Sequence, residues 1–561
     1  MKPTGSASKE TSPNRTICYT AVIAAVLLGI FMRVPLLRQR PMHTDEAVHA
    51  VKFGSLLKDG CYTYDPNEYH GPALNYFTLV PAWLRSEGTI TEVTETTLRI
   101  VPVFFGIVII LLTFLIIDAV GPVAAVCIAF LTAASPAMVF YSRYYIQEML
   151  LVCFTFGVIV CGYRYLRLAK PRSAAGMGWA AGAGVFLGLA HTAKETFIIA
   201  AGAALLSLVV SRFVWHGRNK EQQTASGTRP IIIHILLFLL CAGATSALFY
   251  SSFFTNFHGI TDSVATYANY FRKAGHSSSH IYPWYYYLKM LIFSRVNNGP
   301  VWSEGFILLM AVAGAVFIIH SLIIQSRQVT FFAVFYLFYT AAVTIIYSAI
   351  PYKTPWCMLS FLHGFIILAG IGIAAIIKGL KKYQLGRAVT VILLASLYIQ
   401  LLWQSYQTSY VYDADYRNPY VYAHTTTDIF PMAERILEAA DKLPDTKIQV
   451  VCPDNDYWPL PWYLRRITSE KPARIGFWDK VTDDVTSVGI IIASADFEGD
   501  IINKLYHKPA GQRQMYMYLF DRPYHLNLRP GVSIVGLIRK DLWEKLTEKG
   551  IPVRLLKKVE K

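Results

Sequence analysis

IVPVFFGIVIILLTFLII, residues 100–117, runs for eighteen residues without one Asp, Glu, Lys or Arg. A helix crossing a bilayer needs about 20 mainly apolar residues, fewer where flanking cations snorkel back to the interface. Ten further charge-free stretches accompany it, at 16–32, 119–142, 149–163, 173–193, 196–211, 230–257, 305–326, 328–352, 354–377 and 388–412. Composition agrees: 54% of the 561 residues are apolar and 16% are charged, against about 25% charged in a soluble domain. The fold expected is an all-α polytopic membrane domain over 1–412 with about eleven transmembrane helices, then a small extracytoplasmic α/β domain over 413–561.

The formal charge of +16 is unevenly spread. Residues 409–561 carry 22 basic and 21 acidic side chains, and the first 408 carry 30 basic and 15 acidic. The excess therefore belongs to the membrane part, where basic loops set orientation, and implies no nucleic-acid partner. With the N-terminus inside, the short inner segments hold Arg164, Arg167, Lys170 and Arg172, then Arg212, Arg218, Lys220 and Arg229, then Arg327, and Lys378, Lys381, Lys382 and Arg387. The positive-inside rule then puts the N-terminus in the cytoplasm and the C-terminal domain outside. The first run follows Lys2, Lys9 and Arg15 and leads into Arg33, Pro35 and Arg38 with no small-residue cleavage site, so it reads as a retained anchor. Two outer loops are too long for connectors, 33–99 and 258–304. The second holds Tyr282, Trp284, Tyr285, Tyr286 and Tyr287 beside Lys289, either an interfacial anchor or the lining of a lipid groove.

Within 413–561, β-type runs stand at 447–452 (KIQVVC), 488–493 (VGIIIA), 515–520 (MYMYLF) and 533–538 (SIVGLI), with helical patterns at 431–442 and 540–549. Strands mixed with helices suggest a largely covered sheet. The eight cysteines form no CxxC pair. Cys61 and Cys452 fall outside the apolar runs and read as two free thiols.

The polar residues with the strongest chemical content follow the first span: His43-Thr44-Asp45-Glu46-Ala47-Val48-His49. Asp45 suits a general base for an acceptor hydroxyl, with Glu46 as its partner or as a metal ligand. His43, Asp45, Glu46 and His49 form a second possible constellation, a metal site, although two histidines six apart do not share a helix face as i, i+4 ligands do. The plain alternative is a helix start, with Thr44 capping and acids in the first turn. Next comes His70-Gly71-Pro72, a turn before an aromatic helix. The other outer corners each present one cation: Arg143 (with Glu148 five residues on), Lys194 and Lys353. Arg143 suits a bidentate phosphate contact, or equally an anchor or an Arg143–Glu148 pair. Three cations around one carboxylate pair suggest a site for an anionic head group.

The order of these motifs resembles a known family. HTDEAVHAVKFG (43–54), YHGPALNYFTL (69–79), LRIVP (98–102), SPxxxxYSR with Glu148 after it (135–148), GLAHTAKE (188–195) and YKTP (352–355) together resemble the GT-C superfamily of polyprenyl-phosphate-sugar glycosyltransferases. That superfamily includes the protein O-mannosyltransferases and the lipid A aminoarabinose transferases. The long first loop, YKTPW and DYWPLPWYLR (456–465) look closest to the "flippase-activity-associated" membrane protein family. The resemblance implies inverting transfer of a sugar from a polyprenyl-phosphate donor outside the membrane. It implies Asp45 as base with Glu46 its acidic neighbour, Arg143 near the lipid phosphate, and Lys194 and Lys353 as cations on the same face. Two positions depart from the pattern: His70 stands where many relatives have a lysine before the proline, and Glu148 where many have aspartate. A histidine still donates to phosphate, but its charge depends on pH.

The partners expected are a polyprenyl-phosphate-linked sugar, a glycan, lipid or protein acceptor, and membrane lipids. A divalent metal is compatible with the first loop but not required by it. The alternative function is a non-catalytic or transport-associated partner in lipid-linked sugar translocation. A transporter tends to carry polar groups near the membrane midplane and internal repeats, and the charge-free span interiors and unrepeated sequence speak against it.

Overall fold

The structure, a computed structural model, describes residues 12–67, 70–168, 173–216, 231–273, 280–326, 328–507 and 513–548. Lys2, Lys9, Glu68, Tyr69, Lys170, Arg172, Arg218, Lys220, Arg229, Arg327 and Lys549 lie outside the described residues. Among those described, nine helices are long and apolar enough to cross a membrane. The pair Pro122–Ala134 and Pro136–Ser142 adds a tenth if counted as one bent span. The charge-free stretch 173–193 forms helix Ala174–Ala193, rich in glycine and alanine, which is not among the nine. Those small residues serve packing. At Gly188 a Cβ would press into the Ala242 carbonyl of helix Ile232–Tyr250, so the two backbones approach as small-residue helix pairs do in membranes.

The sequence suggests one uninterrupted span over 119–142, but the structure bends there by 56°. The cause is Pro136, which has no N–H to give the Thr132 carbonyl. Ser135 becomes a new N-cap, accepting from the Met138 N–H, and the Ala137 N–H turns to Glu304 Oε1 at 2.8 Å. Two carbonyls, of Thr132 and Ala133, are thereby freed. Arg33, at the end of helix α1 (Ser12–Arg33), supplies the missing donors at 2.8 and 3.0 Å. A buried arginine is sustained here because every freed backbone acceptor must find a donor.

The first loop folds into two helices, α2 (Thr44–Asp59) and α3 (Ala73–Leu84), before the span that begins with α4 (Glu95–Leu112). The C-terminal region carries a six-stranded mixed sheet: β1 (Ile448–Val451), β2 (Ile475–Trp478), β3 (Ile490–Ser494), β4 (Tyr516–Tyr518), β5 (His525–Arg529) and β6 (Val532–Arg539), in the order β2-β1-β3-β6-β4 with β5 also on β6. β1 runs parallel to β2 and β3, and β6 runs antiparallel to β3, β4 and β5. Every residue of β1 and β3 is buried, as befits central strands covered on both faces. Helices Ile429–Lys442 and Lys540–Glu548 form where the sequence places them, and the four β-type runs hold β1, β3, β4 and β6. β2 and β5 were not expected. Gly476 interrupts one, and His525, Asn527 and Arg529 give the other a polar composition.

Candidate active site at the first loop

Adjacent residues of the Asp45–Glu46 pair have opposite fates. α2 begins with His43 as N-cap, not Thr44: its Nδ1 accepts from the Asp45 N–H at 3.0 Å, and the His43 N–H donates to Glu46 Oε2 at 3.1 Å. Glu46 then points inward and is fully buried. Its two oxygens receive Arg99 Nε and Nη2 at 2.8 and 2.7 Å, Arg40 Nη2 at 3.2 Å and the Tyr145 N–H at 2.8 Å. Burial by itself would raise this carboxyl, but the two guanidiniums and the hydrogen bonds overcome it and hold the group well below the usual carboxylate range. A carboxylate so enclosed has no lone pair facing substrate. The partner or metal role expected of Glu46 does not fit this geometry, and its place is structural. Asp45, about 100° round the helix, keeps 43% of its side chain exposed.

The metal constellation is not assembled either. His43 uses its second ring nitrogen on the Tyr422 carbonyl at 3.1 Å. His49 turns into the interior, where Gln147 Nε2 lies 3.4 Å from its Nδ1 and burial lowers its pKa to about 3. Among the described residues no group of three His, Cys, Asp or Glu side chains is placed to hold a metal ion.

A second cluster forms beside Asp45 from residues far apart in sequence. The Gly71-Pro72 turn lies against the corner after helix Ala174–Ala193, so close that a Cβ at Gly71 would overlap the Thr192 carbonyl. This brings His70 Nδ1 to Glu195 Oε2 at 2.8 Å, while Tyr64 donates to Glu195 Oε1 at 3.1 Å. Burial would raise Glu195, but His70 more than offsets it and the carboxyl stays lowered. Lys194 pairs with Glu148, both nearly buried. The Arg143–Glu148 pair allowed by the sequence does not form. Asp45, His70, Lys194 and Glu195 all act electrostatically on His49, and Asp45, Lys194 and Glu148 all act on Tyr352. Lys353, next in the chain after Tyr352, sets its ammonium on the Ile350 carbonyl.

Arg143 stands apart from that cluster. Its Nη1 donates to the carbonyls of Arg33 and Pro35 at 2.9 and 2.6 Å and to the Tyr410 hydroxyl at 3.1 Å, and Nη2 to the Leu36 carbonyl at 3.2 Å. It caps the end of α1, where the last carbonyls lack intrahelical donors, instead of facing a lipid phosphate. Arg143→Ala is therefore expected to destabilise the protein by at least about 1.5–3 kcal/mol, the worth of a hydrogen bond to a charged group. Thermal unfolding in detergent checks this. Reduced affinity for undecaprenyl phosphate at unchanged stability would return Arg143 to the phosphate.

Residues that sequence reasoning missed complete the site. Arg99 stands in the quoted LRIVP motif, and a lone arginine opening an apolar run is a sign of a buried ion pair. Arg40, over the Tyr144 ring at 4.4 Å, carried no such sign. Nor did two C-terminal residues that reach the loop: His424, stacked 5.5 Å from His43, and Arg529, whose Nη1 donates to Thr44 Oγ1 at 3.0 Å; Tyr463, whose hydroxyl accepts from the Met42 N–H at 2.9 Å, stands in the quoted DYWPLPWYLR motif.

With this geometry in hand, comparison with known proteins is informative. The family model of dolichyl-phosphate-mannose-protein mannosyltransferases matches residues 73–258. Comparison with curated proteins gives no match. The crystal structure of ArnT from Cupriavidus metallidurans bound to undecaprenyl phosphate superposes with a TM-score of 0.60 at 15% identity, over 94% of this chain and 98% of that one. The archaeal oligosaccharyltransferase AglB from Archaeoglobus fulgidus, in complex with an inhibitory peptide and a dolichol-phosphate, superposes with a TM-score of 0.55 at 12% identity, over 95% of this chain and 77% of that one. This integral membrane chain thus shares the fold of these two transferase structures, and its residues 73–258 are similar to the dolichyl-phosphate-mannose-protein mannosyltransferase family.

Proposed function

We propose that the protein transfers a sugar from a polyprenyl-phosphate donor to an acceptor hydroxyl at the extracytoplasmic membrane surface, with inversion, using Asp45 as general base. The observation that carries this reading is the contrast among the carboxylates of the site. Glu46, Glu148 and Glu195 are buried and bound to cations or hydrogen-bond donors, and Asp45 is 43% exposed. A base must be reachable by the acceptor, and the exposure of Asp45 meets that condition. As the glycosidic bond breaks, negative charge grows on the leaving lipid phosphate, and fixed positive charge lowers that barrier. We assign this role to His70, which pairs with Glu195, to Lys194, which pairs with Glu148, and to Lys353. The lipid tail keeps the donor in the bilayer, which explains a site at one end of the helical bundle. An acid–base mechanism of this kind does not call for a metal.

The side of the membrane is tested by topology. Asp500 is exposed in the helix Glu498–Tyr506. With the free cysteines replaced, Asp500→Cys is expected to react with a membrane-impermeant maleimide on intact cells. Reaction only after lysis would reverse the orientation. The reaction itself is tested in proteoliposomes with undecaprenyl-phosphate mannose and undecaprenyl-phosphate aminoarabinose as donors, comparing wild type with the base variant argued in the Discussion.

A further inference from the structure

Three consecutive residues immediately before Asp45 are each held by the C-terminal region, and each by a different segment of it. The Met42 N–H donates to the Tyr463 hydroxyl at 2.9 Å, His43 Nε2 meets the Tyr422 carbonyl at 3.1 Å, and Thr44 Oγ1 accepts from Arg529 Nη1 at 3.0 Å. These contacts span sequence separations of several hundred residues, so nothing local in the first loop supplies them. The partners are themselves anchored. Arg529 bonds the Trp458 carbonyl at 3.1 Å and pairs with Asp456 in the loop after β1. Trp462 Nε1 donates to Glu95 Oε1 at 2.8 Å, and Arg465 reaches the carbonyls of Ile90 and Val93 at 3.0 Å each. The segment 456–465 is thus clamped between the sheet and the first loop.

We propose that the C-terminal domain positions the base. Tyr463 and Arg529 are positioning residues that fix the start of α2 and so the direction of the Asp45 carboxylate, which makes the domain a working part of the active site instead of a separate docking module. This rests on the reading of Asp45 as base. The physical argument is one of geometry: reacting atoms must be held near 3–3.5 Å, and a displacement of about 1 Å costs on the order of 100-fold in rate. Glu46 in its arginine cage and the buried Ala47, His49, Ala50 and Phe53 fix the inner face of α2, and the three contacts above fix its first residues.

The test uses the full chain in proteoliposomes with whichever of the two donors named above supports wild-type turnover. Thr44→Val keeps the shape of the side chain and removes only the oxygen that Arg529 binds, so the Arg529–Asp456 pair and the domain contact persist. Turnover is expected to fall roughly 10-fold with donor KM and thermal stability unchanged, and Thr44→Ser to restore it. Tyr463→Phe is expected to lower kcat similarly. Arg529→Ala combined with Thr44→Val is expected to lose no more than Arg529→Ala alone, since both remove one interaction. Wild-type kcat in Thr44→Val, or fully additive losses in the double variant, would overturn the positioning role while Asp45→Asn stays inactive. An active Asp45→Asn would instead overturn the base assignment beneath it.

Discussion

Asp45→Asn is expected to fold, to bind its polyprenyl-phosphate donor and to turn over about 10²–10⁴-fold more slowly than wild type, the usual cost of losing a general base. The substitution keeps the size of the side chain and its hydrogen bonding but removes its affinity for a proton. Its structural cost is small because Asp45 is held through its backbone N–H, by His43 Nδ1, and its carboxylate lies a loose 3.9 Å from that ring. Donor binding is expected to persist because the cations proposed for the donor phosphate, Lys194 and Lys353, are untouched. The decisive measurement is single-turnover transfer at saturating donor, with thermal unfolding of the same preparation as control. Transfer at the wild-type rate would remove Asp45 from the chemistry and bring forward the translocation-partner reading.

Glu46→Gln, one residue along, is expected to fail in the opposite way. The amide cannot neutralise Arg99 and Arg40, and both guanidiniums are buried. Removing one partner of a buried ion pair costs about 3–5 kcal/mol because the remaining charge is left uncompensated. The loss should appear as lowered thermal stability and poor yield before any effect on turnover of the folded fraction. The pH dependence has a definite sign. A carboxyl held below its ordinary value of about 4.3 contributes stability that is fully present above that value and is lost as pH falls through the depressed one. Wild type should therefore show an acid-side loss of stability that Glu46→Gln lacks. A Glu46→Gln protein as stable as wild type but inactive would give Glu46 the chemical role that its burial denies it.

The two neighbours show where sequence reading stops. In the string HTDEAVH, Asp45 and Glu46 are equivalent acids in the first turn of a helix. What separates them is which face of α2 meets Arg99 and Arg40, and those arginines lie 53 and 6 residues away. Arg143 is a parallel case. An arginine at a bilayer corner has the chemistry of a phosphate ligand, but whether its donors meet phosphate or backbone depends on where α1 ends, and here three carbonyls of that end occupy it. His70 and Glu195 stand in two separate motifs, and only the close seating of Gly71 on Thr192 makes them a pair.

What the sequence determined alone is what a bilayer imposes residue by residue. A span must be apolar along its whole length and a loop need not be, so the helices, the long first loop and the α/β character of the C-terminal region are written locally in hydropathy and period. The bend at Pro136 was half legible: proline forbids the helical hydrogen bond at that point, but Arg33 and Glu304, which make the break tolerable, arrive from other helices. The division of labour among charged groups was decided only by the tertiary structure. Whether a carboxylate is a base or a buried counter-ion is set by the dielectric and the partners around it, and the packed chain gathers those partners from positions as far as 131 residues apart.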